Sequence, residues 1–338
     1  MREINMKKLL NSPNDYADET LEGMCLAFPN YYKRGGETGR VITRPNAAES
    51  GKVGVVTGGG SGHLPVFAGY CGSGLMDACA VGNVFAGPSV PDCIDAIKAA
   101  DGGVGVLRLY GNYGGDRMNF DMAGEMLEIE GIETTTVLLA DDVASAGPNE
   151  SEKRRGVAGL VYGFKIAGAA AASGVDLAAV TAVAQKAADA CRSIGVALTP
   201  CTVPEVGKPT FDIGEDEIEM GMGIHGEPGI WRGAHRSANE IAREMLDRVS
   251  AELDLKAGDR VSVLVNSLGA TPLEELFILY RTVAKILGDQ NVTIITPLVG
   301  RYATSMEMTG ASITVINLDD ELEGLLKAPA DCPFWGHA

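Results

Sequence analysis

Val53-Gly54-Val55-Val56-Thr57-Gly58-Gly59-Gly60-Ser61-Gly62-His63-Leu64-Pro65 opens on an apolar, β-branched run and closes on glycines, a serine and a histidine. The run at 53–57 predicts a buried strand. A strand that empties into a glycine loop is where an open α/β sheet receives its ligand, beyond the carboxyl ends of its strands. The loop is not a dinucleotide fingerprint. After Gly58-x-Gly60 the third glycine belongs at position 63, where the chain has His63. No Gly-Lys-Ser/Thr closes it either, which excludes the P-loop. The reading is a loop that brings a ligand close to backbone N–H groups without being a recognisable nucleotide site.

Outward from this stretch the same rhythm returns. A second strand at 105–110 runs into Gly111-Asn112-Tyr113-Gly114-Gly115-Asp116. A helix at 120–130 and a strand at 134–140 follow, the latter ended by Asp141 and Asp142, which receive no role. Pro91 and Asp92 open a helix over 91–100, since proline suits the first helical position and an acid suits the first turn. Residues 1–50 read as an irregular helical entry with one helix near 15–27. The small, glycine-rich stretch 69–84 suggests close backbone packing. Two Ala-rich helices are expected at 157–172 and 177–194. The later part repeats the pattern: strand 261–266, a turn at 267–272, an amphipathic helix at 274–287, and strands at 292–298 and 313–317. The expected fold class is α/β, with two domains each built on a mixed or parallel sheet flanked by helices. The division is placed between 1–192, carrying His63 and Asp116, and 193–338, carrying His225.

Composition sets bounds on function. The 338 residues are 46% hydrophobic and 22% charged, enough for sizeable cores and against global disorder. A net charge of −17 argues against nucleic acid or an anionic membrane as partner and leaves a neutral polyol or ketose as an easy substrate. Cysteines stand at 25, 71, 79, 93, 191, 201 and 332 without a CxxC pair, which fits reduced thiols in the cytoplasm. The polar start after Met1 lacks the apolar core of a signal peptide, and no apolar stretch is long enough to span a bilayer.

A second histidine sits in Met222-Gly223-Ile224-His225-Gly226-Glu227-Pro228-Gly229-Ile230. The glycines open backbone angles closed to other residues, and Pro228 fixes its own φ, so the loop is shaped. A turn carrying a surface histidine is the plain alternative. It ranks lower because the chain has four histidines and two lie in glycine-bound loops. His63, Asp116 and His225 thus stand out as polar groups at strand ends or on shaped loops. No pair has the spacing of HExxH, so a metal site is not expected. Ser61, Asp116 and His225 satisfy the chain order of an α/β-hydrolase triad. The elbow pattern G-x-S-x-G fails, however, where His63 replaces the last glycine.

Several blocks together closely resemble one family. They are Gly58-Gly59-Gly60-Ser61-Gly62-His63, Asn112-Tyr113-Gly114-Gly115-Asp116, Arg154-Arg155-Gly156-Val157-Ala158, Cys201-Thr202-Val203-Pro204, Gly223-Ile224-His225-Gly226-Glu227-Pro228-Gly229 and Asn266-Ser267-Leu268-Gly269-Ala270-Thr271-Pro272. In this order, over nearly the whole chain to Trp335, they resemble the ketose-binding subunit of the dihydroxyacetone kinases. The resemblance implies that His225 forms a covalent hemiaminal with the ketose carbonyl. It implies that His63 and Asp116 hydrogen-bond the substrate and do acid–base work on the hydroxyl to be phosphorylated. Gly60, Ser61, Gly62, Gly111 and Gly115 would line the substrate. Chemistry agrees, because a neutral imidazole is a nucleophile, and addition to a carbonyl selects ketones and aldehydes over polyols such as glycerol. A base within hydrogen-bond reach is what a hydroxyl attacking phosphorus requires.

The family's nucleotide-binding domain is separate and helical, and no stretch here resembles it. The resemblance therefore implies that this chain binds no cofactor or metal itself. A partner subunit would bring ATP or ADP with magnesium, either using ATP directly or being rephosphorylated through a phosphotransferase relay. A homodimer is implied on the same ground. Leu64 replaces an expected acid and Gly111 an expected lysine, which suggests a roomier pocket and leans toward four-carbon ketoses such as erythrulose. Some subunits of the family are non-enzymatic co-regulators of transcription. Retention of His63, Asp116 and His225 favours an enzyme.

Overall fold

The computed structural model of the chain describes residues 7–335. After helix α1 (Tyr16–Ala27) comes a six-stranded sheet of β1 (Lys33–Gly35), β2 (Val41–Thr43), β3 (Gly54–Gly60), β4 (Ala78–Gly82), β5 (Val106–Gly111) and β6 (Thr134–Leu139). The spatial order is β1-β2-β4-β3-β5-β6. Strands β4, β3, β5 and β6 run parallel, and the β1–β2 hairpin adds antiparallel to β4. Helices α2 (Val90–Ala100) and α3 (Gly114–Ile129) make the crossovers. Ser89 caps α2 by accepting the Asp92 amide, with proline just inside the start.

Helices α4 (Leu160–Ala172) and α5 (Leu177–Asp189) lead into a second sheet. Its strands are β7 (Cys191–Thr199), β8 (Glu217–Met220), β9 (Trp231–Ala234), β10 (Arg260–Ser267), β11 (Thr293–Ile294), β12 (Leu298–Gly300) and β13 (Thr309–Leu318). They run β11-β10-β13-β7-β8-β9, with β12 also on β10. β11 and β12 are parallel to β10, and the other pairs are antiparallel. Helices α6 (Ala238–Leu253) and α7 (Leu273–Asp289) cover one face, and α8 (Asp320–Lys327) follows β13. The mixed sheets flanked by helices are those expected from the sequence.

The layers stack through apolar cores. Val56, Val106 and Tyr110 pack on α2 and α3 through Ile97, Phe120 and Leu127. Val263, Val265, Ile313 and Val315 pack on α6 and α7 through Met245, Leu246, Val283 and Leu287. Between the sheets, Leu107, Leu109, Val137 and Leu139 meet Tyr162, Phe164 and Ile166 of α4 and Val180 of α5, and Leu264 and Ile316 close the far side. α4 is buried around its whole circumference because it has a sheet on either side of it, and Lys165 is its one charged residue.

The structure corrects several expected elements. The helix expected at 177–194 ends at Asp189, and β7 begins at Cys191 with no glycine or proline to announce the change. The division placed after residue 192 falls inside β7; residues 1–6 and 336–338 of the two expected domains lie outside the described chain. The strand expected at 292–298 is two short ones, broken where Thr296 takes φ 49° ahead of Pro297. Hairpin β1–β2 lies within the expected helical entry, and β4 within 69–84. α4 starts at Leu160 rather than 157, and α3 starts at Gly114 rather than 120, which moves Asp116 from a loop onto the first turn of a helix.

Candidate functional site

β3 continues through Gly58, Gly59 and Gly60 because neighbours occupy the space a Cβ would need. The Phe120 ring lies over Gly58, the Phe67 ring over Gly59, and the Val84 carbonyl against Gly60. The strand then turns through Ser61–His63. The Gly62 amide donates to the Val84 carbonyl at 2.7 Å, and Ser61 Oγ accepts from the Val84 amide at 2.9 Å. Two buried residues pay for this arrangement in backbone strain: Phe67 at φ 71° and β-branched Val84 at φ 31°. The glycines thus accommodate the protein's own rings and carbonyl, and Ser61 Oγ faces a backbone amide rather than a histidine.

His63 is fully buried. Its Nδ1 lies 2.7 Å from the Thr304 carbonyl, an acceptor only, so the proton sits on Nδ1. Nε2 is buried without a hydrogen-bond partner. Burial lowers the ring's pKa to about 3, helped by the nearby His225. The imidazole is therefore neutral, with an acceptor nitrogen to offer.

His225 arrives from the second sheet, on the loop between β8 and β9. Gly226 takes φ 87° and donates to the Gly223 carbonyl, while the Gly223 amide donates to the Glu227 carbonyl at 3.0 Å. The buried Glu219 accepts the Gly229 amide at 2.7 Å and pins the far end of the loop. The His225 ring then stands 4.8 Å from His63, 5.4 Å from Phe85 and 4.9 Å from Tyr113, each edge to face. Phe85 stacks on His63 at 4.7 Å. The side chain of His225 remains about a quarter exposed, at 24%.

One segment between β12 and β13 holds both histidines. Thr304 accepts from His63, its hydroxyl donates to the Leu64 carbonyl at 2.8 Å, and the Met306 amide donates to the Gly62 carbonyl at 3.0 Å. The Ser305 hydroxyl donates to the Ile224 carbonyl, one residue before His225. Buried Asn266 fixes this segment by accepting the amides of Tyr302 and Ala303, both at 2.9 Å.

Asp116, on the first turn of α3, is half-buried against Gly87, where a Cβ would come within 2.9 Å of its carboxylate. Burial raises its pKa to about 6, against the opposing pull of its own backbone amide and of His225. The structure thus brings His63 and His225 into ring contact and places Asp116 within electrostatic reach of His225. Gly60, Ser61 and Gly62 form the turn beside them. Gly111 ends β5 with the Tyr113 ring 3.1 Å from where its Cβ would be, and Gly115 is exposed with open space around it. Leu64 is partly buried and packs against the core beside Leu21, Val66 and Phe67.

Phe85, Tyr113, Thr304, Glu227 and Arg155 escaped the sequence reading as site residues. So did Asp141 and Asp142. Buried Asp141 accepts the amides of Val157 and Gly159 at 2.9 and 2.8 Å, and Asp142 binds Arg155. The Arg154-Arg155-Gly156 block was the one available signal, since a pair of arginines beside glycine after two aspartates suggests an ion-paired turn.

The Dak1 domain family model matches residues 22–334. The chain is 46% identical over 330 residues to the dihydroxyacetone-binding subunit DhaK of a PTS-dependent dihydroxyacetone kinase of Listeria innocua, covering 98% of this chain and 99% of that one. It is 41% identical over 334 residues to an L-erythrulose 1-kinase of Mycolicibacterium smegmatis, of which it spans 58%. The crystal structure of the dihydroxyacetone kinase of C. freundii superposes with a TM-score of 0.88 at 32% identity, over 97% of this chain and 60% of that one. Matched along its length in both sequence and fold, the chain belongs to the Dak1 family, the family of the dihydroxyacetone and erythrulose kinases.

Proposed function

We propose that the chain is the ketose-binding subunit of a short-chain ketose kinase, and that it binds its substrate covalently through His225. The carrying observation is the meeting of two imidazoles at 4.8 Å in an aromatic cage, each with Nδ1 held by an acceptor. The Nε2 lone pair of His225 adds to the ketose carbonyl carbon. The carbonyl π pair moves to oxygen, which takes up a proton, giving a hemiaminal. Polyols have no carbonyl and do not react. His63 Nε2 accepts a hydrogen bond from a substrate hydroxyl. Asp116 takes the proton of the terminal hydroxyl as that oxygen attacks phosphorus.

The phosphoryl donor, ATP or ADP with magnesium, belongs in this reading to a separate nucleotide-binding subunit. In the glycine loop after β3 the Gly62 amide is taken up by the Val84 carbonyl, and Phe67, Val84 and Phe85 lie where side chains at Gly59, Gly60 and Gly62 would be. The chain works as a homodimer in the cytoplasm, which suits its seven free thiols. Three- and four-carbon ketoses both fit the reading, because Leu64 packs into the core and position 111 is backed by the Tyr113 ring. Values of kcat/KM for dihydroxyacetone, D-erythrulose and L-erythrulose with the nucleotide-binding partner sort them.

The direct test is intact-protein mass spectrometry with dihydroxyacetone or erythrulose. The wild type gains the mass of one ketose, and His225→Ala, shown folded by circular dichroism, does not. Equal adduct formation in the two proteins would sink the reading.

A further inference from the structure

A line of charged groups leads from His225 into the interior. Glu227 Oε1 lies 2.9 Å from His225 Nδ1, and its Oε2 accepts the His225 main-chain amide, also at 2.9 Å. One carboxylate therefore grips both the ring and the backbone of the same residue. Behind it stands Arg155, whose Nη1 is 3.9 Å from Glu227 Oε2. Arg155 donates from Nε to Asp142 Oδ2 at 2.9 Å and from Nη2 to the Gly221 carbonyl at 3.0 Å. Buried Asp142 in turn accepts the Ala144 amide at 3.0 Å. Gly223 explains why the line can pass: a Cβ there would collide with Glu227 Oε2 and Arg155 Nη1.

We propose that Glu227, braced by Arg155 and Asp142, is a positioning residue that fixes His225 as its Nδ1–H tautomer and thereby makes Nε2 the reacting nitrogen. The inference rests on the hemiaminal reading above. A carboxylate accepts and does not donate, so the ring nitrogen facing it carries the hydrogen. A neutral imidazole has one N–H, which leaves the lone pair on Nε2. Burial by itself would push the Glu227 carboxyl up, but the hydrogen bond from the His225 ring, a backbone hydrogen bond and the Arg155 charge pull it down. Glu227 therefore remains an acceptor throughout the neutral range. It also serves the covalent step. As Nε2 bonds to carbon, positive charge develops on the ring, and the Nδ1 proton moves to Glu227 and on to solvent. The carbonyl oxygen takes a proton in exchange, so one proton enters and one leaves. Histidine ligands of metals are oriented by carboxylates in the same way.

The test uses nitrogen-15 NMR of the full chain labelled at histidine, where four residues give few signals and His225→Ala identifies the one sought. The neutral form of His225 in ligand-free wild type, followed across a pH series, should be the Nδ1–H tautomer. Glu227→Ala should shift the population toward Nε2–H and slow adduct formation on the order of ten- to a hundred-fold, the range seen when such orienting partners are lost. Glu227→Gln, whose amide oxygen still accepts, should keep the tautomer and restore part of the rate. An Nε2–H signal for the neutral ring in wild type, or an unchanged tautomer in Glu227→Ala, would overturn the assignment. An Nδ1–H wild type that forms no adduct with either ketose overturns the hemiaminal reading instead, and leaves the positioning of the ring standing.

Discussion

Burial acts on Asp116 and His63 in opposite directions, and both directions suit a base. The His63 ring, held down to about 3, stays neutral across the physiological range. The Asp116 carboxyl, pushed up to about 6, takes protons far more readily than a carboxylate in water and is still mostly ionised at neutral pH. A carboxyl must be ionised to accept a proton, so phosphorylation by the assembled kinase should rise with pH through about 6, and His63 should add no limb above it. Asp116→Asn should remove that limb and lower kcat on the order of 10²- to 10⁴-fold while leaving the ketose adduct intact. Retention of the limb in the variant would assign it to another group. The two histidines were legible because each lies on a glycine-rich loop, a local signal. Glu227 stands two residues from His225, yet neither its direction nor the Arg155 behind it could be read locally. Phe85 and Thr304 enter the site only when separate layers close on one another.

Elements show the same limit. β3 was legible from its valines, but its continuation through three glycines depends on rings and a carbonyl that arrive from elsewhere in the chain. The first four residues of β7 were read as the end of a helix because alanines run up to them, and the strand's identity comes from pairing with β13 and β8 on either side. Glycines in helices make the point testable. Gly23 lies exposed in α1 with nothing near its Cβ position, so Gly23→Ala should stabilise the protein by about 0.5–1 kcal/mol. At Gly168 the backbone of α4 lies directly against that of Leu75. There the same substitution must move a main chain, and a destabilisation of about 1–3 kcal/mol is expected despite the better helix propensity. Urea titrations of the two variants should move in opposite directions. A shift of both toward stability would mean that α4 is free to slide.

On the scale of the whole molecule, the central layer carries one unusual group. Lys165 of α4 is fully buried and donates to the Leu325 carbonyl near the end of α8 at 2.6 Å, the favourable end of a helix for a cation. Burial lowers its pKa to about 8. Between about 8 and the ordinary lysine value the folded chain then holds fewer protons than the unfolded one, so rising pH favours the fold. Lys165→Met lacks this dependence. Its stability relative to wild type should decline steadily as pH rises from 8 to 10, measured by melts of both proteins in the same buffers. A constant difference would show that the lysine is as basic inside as outside. The alanines of α4 made it legible in the sequence as a helix. That it would lie between two sheets and press one end of α8 was not written in any periodicity.

The segment at 304–306 fixes a length as well as a position. Thr304 grips the His63 ring and Ser305 grips the carbonyl that leads into His225, and neighbouring α-carbons are about 3.8 Å apart across a trans peptide. The span between the two imidazoles is thus metered by a single covalent unit used as a ruler. A displacement of this segment therefore carries its hold on both histidines with it.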